Sequence, residues 1–366
     1  MSLKNKPQVA VIGGGIFGLT AALELSSGCE VDLYEREAAI LTAASFANHN
    51  RHHFGFHYPR SPETALQCLE GRDDFDSLYG ESLVWDFPNY YFVGTEDSKV
   101  TGDEYIKFCR SIGLEFKEVV APDKWVDPKK VQLSLRVKEA ICDFQKLNQL
   151  ALNYLNKSSV RVHLGAEVVE GTREGDTKVL QVRQSGSVRE KKYDIIVSAI
   201  YANHNRFCDW FGFPKRHFQF NVQELDLIQI DSNDRVGLTV MDGPYPSILP
   251  FGRTPYHIMA HVNASQLVRE DSFQSTPLLS RLPNLRSNWE QILETCSEYY
   301  PFLKNSRYCK SIFVDRVVDS TQKFTDSRVT ELEAHGSGCY SIFAAKIITC
   351  VTTAKKLHDL IQKDLA

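Results

Sequence analysis

Residues 7–36, PQVAVIGGGIFGLTAALELSSGCEVDLYER, decide the fold. The apolar run Val9, Ala10, Val11, Ile12 is too short for a helix and reads as a buried parallel strand. Gly13, Gly15 and Gly18 follow at once in G-x-G-x-x-G spacing. The first permits a tight turn, the second lets backbone approach a pyrophosphate, and the third lets the helix pack closely on the strand. Ile16, Leu19 and Leu23 then recur at helical spacing until Gly28, a natural stop. Val31, Leu33 and Tyr34 make a second strand ending at Glu35, 22 residues after Gly13. A carboxylate there accepts hydrogen bonds from an adenosine ribose. A glycine motif alone is weak, and a glycine-rich turn in a ligand-free α/β domain is the competing account. Strand, glycines, helix, second strand and acid arriving in order favour a dinucleotide site. Its expected lining includes Ile16 and Phe17 at the helix start and Arg36 beside the acid.

The rest of the composition narrows the class. A chain of 366 residues exceeds one ordinary core, so two domains are expected. Its 43% hydrophobic and 24% charged residues fit a globular protein, and a formal charge of -4 gives no pull toward nucleic acid. Nine cysteines without a C-x-x-C pair argue for reduced thiols and a cytoplasmic setting. No stretch approaches the length of a membrane span, and the first strand begins too soon for a signal sequence.

Nucleotide-type pattern occupies the beginning, middle and end of the chain. Residues 41–61, LTAASFANHNRHHFGFHYPRS, are irregular and lie close enough to the glycines to cover a large cofactor. Ser61 and Pro62 open a helix with Ala65, Leu66, Leu69, Phe75, Leu78 and Tyr79 on its buried side. Residues 83–138 change character, with a strand at 89–93, a Thr101 capping box and a strand at 114–120. Asp143 caps a helix bearing Leu147, Leu150, Ala151, Tyr154 and Leu155, and strands follow at 160–169 and 193–200. Longer antiparallel strands are expected at 218–230, 236–241 and 256–262, a polar loop at 263–286, and a helix from Trp289 to Pro301. A glycine turn, a short strand and a helix carrying Ala345, Ile348, Thr352, Lys356 and Leu360 close the chain. The expected architecture is α/β: a discontinuous Rossmann-like domain from residues 1–82, 139–205 and 306–366. A second, α+β domain on a mostly antiparallel sheet takes 83–138 and 206–305.

At this point the sequence resembles the D-amino-acid-oxidase-type flavoproteins, a group that includes glycine oxidase, L-2-hydroxyglutarate oxidase and glycerol-3-phosphate dehydrogenase. GGGIFG and Glu35 match the FAD fingerprint. Ser45, Asn48, His53, Gly55 and Tyr58 match the S-x-x-N-x-x-x-x-H-x-G-x-x-Y pattern of the hydroxyglutarate-oxidase branch. Residues 139–147 look like the segment before the family's central helix, and Glu167-Val168 sits where the family presents backbone to adenine. SIFAAKIIT resembles the C-terminal helix start of glycerol-3-phosphate dehydrogenases, with Ala344 and Ala345 in place of two glycines. Ile200-Tyr201 replaces the usual small-residue turn after Ala199. The resemblance implies FAD held by the fingerprint residues together with Ser45, Asn48, His49, Val168, Ala199, Gly338, Ser341 and Lys346.

Physics favours FAD as well. The helix start after Gly15 offers unpaired N–H groups to a pyrophosphate, and a second helix start near Lys346 can steady negative charge on a reduced flavin. A surface lysine on an amphipathic helix is the alternative account of Lys346. His49, His52, His53 and His57 could suggest a metal, but Asn48, Asn50, Gly55 and Pro59 interrupt any helix that would present them, and no metal is expected.

The expected reaction is oxidation of a CH–OH or CH–NH group in a small anionic substrate: a 2-hydroxy acid, an amino acid or an acidic sugar. Hydride would pass to flavin N5 and neutral His53 would draw off the proton, with O2 or a quinone as final acceptor. A structural histidine in the loop is the plainer account of His53. Arg51, Arg60, Arg253 and Arg316 are candidate carboxylate anchors, and Tyr58 and His257 are expected in the substrate wall. Arg51 and Arg60 stand out because no acid lies between Thr42 and Pro62. The alternative is a non-redox flavoprotein, such as a sugar mutase-like enzyme or a flavin-binding module, against which stands the lack of a G-G pair just after Glu35.

Overall fold

Gln8–Ile12 lies at the centre of a six-stranded sheet, between Ile195–Ser198 and Glu30–Glu35, both parallel to it. These and the further strands come from a computed structural model that describes residues 6–322, 327–344 and 346–365. Cys339–Phe343 and Arg161–Leu164 extend the sheet in parallel, and Glu331–Gly336 closes one edge antiparallel. A strand flanked on both sides must be apolar on both faces, which is why Val9, Ala10 and Val11 are all fully buried. Val9 and Val11 pack under the helices Ile16–Leu25, Pro62–Tyr79, Phe144–Lys157 and Cys350–Leu365. Ala10 and Ile12 face a three-stranded antiparallel sheet, Ala166–Glu174, Thr177–Gln184 and Ser187–Tyr193, and the helix His204–Phe211.

The second sheet has nine strands and stands beside the first. Phe218–Gln229 is its long central member, paired antiparallel with Gln266–Ser272, His257–His261 and Arg307–Asp319. Pro246–Pro250, Gly237–Met241, Asn89–Gly94, Val131–Val137 and Phe116–Glu118 continue it, with one parallel pair, Gly237–Met241 on Asn89–Gly94. The helix Trp289–Tyr299 covers one face through Ile292 and Cys296.

Several local expectations change. Residues 263–286 include the strand Gln266–Ser272, whose polar residues sit on a half-exposed sheet edge where alternation is weak. Arg307–Asp319, expected with the nucleotide-binding unit, pairs along its length with Phe218–Gln229 in the large sheet. The expected strand at 160–169 is broken at Gly165, whose φ of 62° turns the chain from one sheet into another. The strand expected at 114–120 shortens to Phe116–Glu118, and Leu66 stays 53% exposed. The last helix starts at Cys350 after a tight turn over Ile347–Thr349, so its buried face is Cys350, Ala354, Leu357 and Ile361 rather than Thr352 and Lys356. Ala345 lies outside the described residues.

Candidate functional site

The carboxyl ends of the parallel strands open into a cavity of about 660 Å³, lined by Ile12, Tyr34, Ala199 and Ile342 from those ends. This is where an open α/β sheet leaves room for a ligand. Gly13 turns the chain there with φ 106°, and a Cβ on it would meet the Ala199 carbonyl oxygen at 2.6 Å. Gly18 does not line the cavity; a Cβ on it would stand 2.0 Å from Gly13 O, so it lets the helix close against the turn. Gly15 caps the helix Ile16–Leu25, whose first turn holds no acidic residue to compete for an anion. Glu35 braces the turn from the next strand: its carboxylate accepts Gly14 N–H at 2.7 Å and Glu37 N–H at 2.9 Å. Ser45 Oγ accepts the Ile16 N–H at 3.0 Å and would lie 3.2 Å from a Cβ on Gly15.

From this cradle the cavity runs past Ile16, Phe17, Arg36 and Val168 and under the loop of residues 42–58. That loop is tied down by backbone pairing: His52 N–H donates to Ala140 O and Cys142 N–H to Asn50 O. Asn48 locks its turn, donating to Ala44 O and Ser45 O while accepting the Asn50 N–H. His49 meets Ser247 Oγ at 3.2 Å across the cavity wall. Gly338 and Ser341, expected on the cofactor, are not part of the lining. Gly338 precedes its strand and so sits at the end away from the cavity, with its carbonyl taken by Ile196 N–H; Ser341 Oγ pairs with His335 Nε2 at 2.8 Å. Ile342 and Ala344 take their place.

Farther in, His53, His57, Tyr58, Lys346 and Arg316 line the same space. Lys346 Nζ lies 4.7 Å from the centre of the Tyr58 ring, and His53 is 5.7 Å from that ring, centroid to centroid. Lys346 is therefore in the site rather than on the surface. Burial, then Lys346 and Arg51, hold the His53 imidazole well below the ordinary histidine value, and burial with nearby cations does the same for His49 and His57. Three neutral rings result. Among the described residues no group of three or more His, Cys, Asp or Glu side chains is placed to hold a metal ion. His52 points away from the cavity into a nest of Phe54, Phe75 and Trp85, with Nε2 2.6 Å from Asp76.

The arginines separate sharply. Arg51 lines the cavity but its charge is already engaged: it donates to Tyr91 OH at 2.7 Å and Thr239 Oγ1 at 2.6 Å, and lies 3.8 Å from Glu139. Glu139 also accepts from Tyr91 OH at 2.6 Å and from the Phe54 N–H at 2.9 Å. Arg60 is outside the lining, paired with Asp242. The absence of acids within the loop therefore misled, because both compensating carboxylates arrive from distant connections, Glu139 before Ile141–Cys142 and Asp242 just after Gly237–Met241. Arg253 donates to Leu83 O, away from the site. His257 is buried within its strand, where Nε2 faces the Val236 N–H at 3.4 Å; His261 from the same strand lines the cavity instead. Arg316 is different. Its Nε is buried with no hydrogen-bond partner among the described residues, and the neighbours acting on its charge are Tyr201, Tyr58 and Arg328, none of them a carboxylate.

Two further wall residues come from the large sheet. Gln223 lines this cavity, and Asn221, on the same strand face, lines a smaller one that adjoins it. Their signal was present in the sequence as polar residues at alternate positions of FQFNVQELDLIQ, an otherwise apolar buried strand. Tyr201 adopts φ 46° where the family has a small residue, and its hydroxyl accepts the Val317 N–H at 3.1 Å, tying the turn after Ala199 to the large sheet.

A model of a protein family described as FAD dependent oxidoreductase (DAO) matches residues 8–342. The chain belongs to that family. Its cofactor is FAD, and it is an oxidoreductase. The glycine cradle fits the assignment, because backbone atoms lie within 2.6 Å of where a Cβ at Gly13 or Gly18 would go, so only glycine lets the turn close and present the helix start to a pyrophosphate. Among solved structures, glycine oxidase from Geobacillus kaustophilus is similar over 98% of this chain and 95% of its own, with a TM-score of 0.76 at 14% identity. L-alpha-glycerophosphate oxidase from Mycoplasma pneumoniae, solved with FAD bound, covers 97% of this chain and 94% of its own, with a TM-score of 0.76 at 13% identity. Identities this low speak to the fold. A curated relative, FAD-dependent monooxygenase FPY4 of Fusarium mangiferae, is 38% identical over 121 residues; the match spans 32% of this chain and 32% of that protein. No helix among the described residues is long and apolar enough to cross a membrane.

Proposed function

We propose that this family member oxidises a CH–NH or CH–OH group beside a carboxylate, in a small anionic substrate such as an amino acid, a 2-hydroxy acid or an acidic sugar. The observation that carries the proposal is Arg316, a guanidinium lining the cavity without a carboxylate partner among the described residues. Keeping an unpaired cation away from bulk water is unfavourable unless a ligand supplies the anion, and a guanidinium suits a carboxylate because it can donate two parallel hydrogen bonds. In this reading the six-stranded sheet and the segments packed on it hold the cofactor through Gly13, Gly15, Ile16, Phe17, Glu35, Arg36, Ser45, Val168 and Ala199. The nine-stranded sheet supplies the substrate wall.

Bound FAD supplies the two-electron acceptor, which O2 or a quinone then empties. Arg316 orients the substrate by its carboxylate, and Tyr58 lies beside both Arg316 and His53. His53, held neutral by burial and by Lys346 and Arg51, keeps a lone pair free for the proton that leaves the substrate hydroxyl or amine. A substrate carboxylate entering the site offsets those cations and raises the proton affinity of His53 at the moment it is needed. Arg51 and Glu139 position the loop that carries His53 and do not meet the substrate carboxylate.

The test is anaerobic addition of D- and L-amino acids and 2-hydroxy acids to the yellow holoprotein. At least one should bleach the flavin absorbance. If dithionite bleaches it and none of these acids does at any concentration, the reading fails.

A further inference from the structure

A second cavity of about 190 Å³ adjoins the first and shares Tyr201, Gln223, Arg316 and Lys346 with it. Its far wall includes Asn221 and Gln266. Asn221 is 5% exposed, and its Oδ1 has no hydrogen-bond partner among the described residues. Asn221 and Arg316 are direct cross-strand partners in the antiparallel pair Phe218–Gln229 and Arg307–Asp319, so their side chains leave the same face of the sheet side by side. On the other face of that strand Asp226 keeps one carboxylate oxygen unpaired while the other accepts from Ser311 Oγ at 2.9 Å, and the remaining buried polar groups are engaged. Gln219 donates to Asp271 at 2.9 Å, and Glu224 accepts the Asn288 N–H at 2.7 Å as well as two serine hydroxyls. On the cavity face, Asn221 Oδ1 thus stands beside Arg316 Nε, and neither atom has a partner among the described residues.

We infer that this side chamber is a subsite for the second arm of the substrate, and that the arm carries a group able both to donate and to accept hydrogen bonds, a carboxamide or a hydroxyl. The inference rests on Arg316 holding the substrate carboxylate. With that carboxylate on Arg316, the rest of the molecule reaches the chamber without passing the cofactor cradle, because Arg316 and Gln223 form the boundary between the two spaces. Asn221 needs a donor for Oδ1 and offers one from its amide, which a purely anionic arm cannot match at both atoms. An apolar arm of equal size fills the chamber and leaves Asn221 unpaired, which is the larger penalty. The preferred substrates are thus 2-amino or 2-hydroxy acids with short polar side chains, discriminated from their apolar isosteres.

Two acids that cannot be oxidised at C2 separate this inference from the anchor it rests on. Succinamate and 4-methylpentanoate have the same shape and one carboxylate each, and differ in ending with a carboxamide or an isopropyl group. Binding is read from the change in flavin absorbance of the holoprotein. Succinamate should bind at least about tenfold more tightly than 4-methylpentanoate, and Asn221→Leu should abolish that preference while leaving the flavin in place. If Asn221→Leu loses its flavin, Gln223→Met serves as the second variant and should narrow the preference. In turnover, asparagine should outpace leucine, or threonine valine, and these pairs tell a carboxamide arm from a hydroxyl arm. Equal binding of the two acids, lost in Arg316→Met, would overturn the side-chamber inference and leave the carboxylate anchor standing. Absence of any spectral change with either acid would remove the anchor itself.

Discussion

Two polar regions face each other across the cavity and are built on opposite terms. Beside the glycine turn the polar side chains have partners within the chain: Glu35 takes two backbone N–H groups, Ser45 takes the Ile16 N–H, and Asn48 is bonded at both ends of its side chain. On the sheet wall Arg316 Nε and Asn221 Oδ1 have no partner among the described residues. The difference separates a shape from a demand. A dinucleotide is recognised by backbone held rigid around a fixed outline, so the cradle gains by being tied beforehand. Under the proposed function, a small substrate is recognised by the polar atoms it alone can satisfy, and a wall that leaves them unpaired until it binds gains specificity.

His53 gives the largest expected effect and breaks the contrast if it is silent. His53→Gln should lower the rate of flavin reduction between about 100- and 10,000-fold while FAD stays bound. Because its proton affinity is depressed, kcat/KM for the intact enzyme should stay level as pH falls through the ordinary histidine value of 6.5 and decline only below it. A decline centred at 6.5 or above would mean that the proton acceptor lies elsewhere.

Glu139 tests whether Arg51 belongs to the scaffold. Burial raises the Glu139 carboxyl above its usual range, yet Arg51, Tyr91 and the Phe54 N–H all converge on it. Glu139→Gln leaves the Arg51 charge buried without its carboxylate, and denaturant unfolding should show a loss of about 3 kcal/mol. Adding Arg51→Met should restore part of that loss. No recovery in the double variant would return Arg51 to the substrate side.

Arg316→Met sharpens the contrast directly. Half-saturating concentrations of any acid that bleaches the flavin should rise roughly 100-fold, from lost charge-assisted hydrogen bonds, with cofactor content unchanged. The cradle should respond the other way. Glu35→Ala should weaken FAD by about 1.5–3 kcal/mol in a fluorescence titration and leave substrate affinity of the reloaded enzyme intact. The smallest effect is expected of Lys346→Met, which lowers the flavin potential by removing a cation from the cavity, on the order of 1 kcal/mol where water screens it at a few ångströms. A redox titration without a lowered potential would show that Lys346 acts within the chain rather than on the flavin.

The cradle was legible because its parts are neighbours in the chain. Strand, turn, helix and acid fall within residues 8–35, and the local rules for tight turns and helix starts suffice to order them. The loop of residues 42–58 was legible as a cover, and His53 and Tyr58 do line the cavity. Its arginines were misjudged because charge balance was counted along the chain, whereas Glu139 and Asp242 reach them through the fold. Gly338 was misplaced for a related reason: a glycine turn looks alike at either end of a strand, and only the strand's direction in the sheet tells which end meets the ligand.

The sequence by itself determined the glycine turn with its strand and helix, the two-sheet class and the loop that lines the cavity, since each rests on residue spacing over a turn or two of chain. Only the tertiary structure decided which cations are free. Arg51, Arg60 and Arg316 are chemically alike in the sequence, and what divides them is whether a carboxylate from a distant part of the chain arrives beside them. That arrival depends on strand register, as in the pairing of Asn221 with Arg316, where a slip of one residue would turn both side chains to the other face.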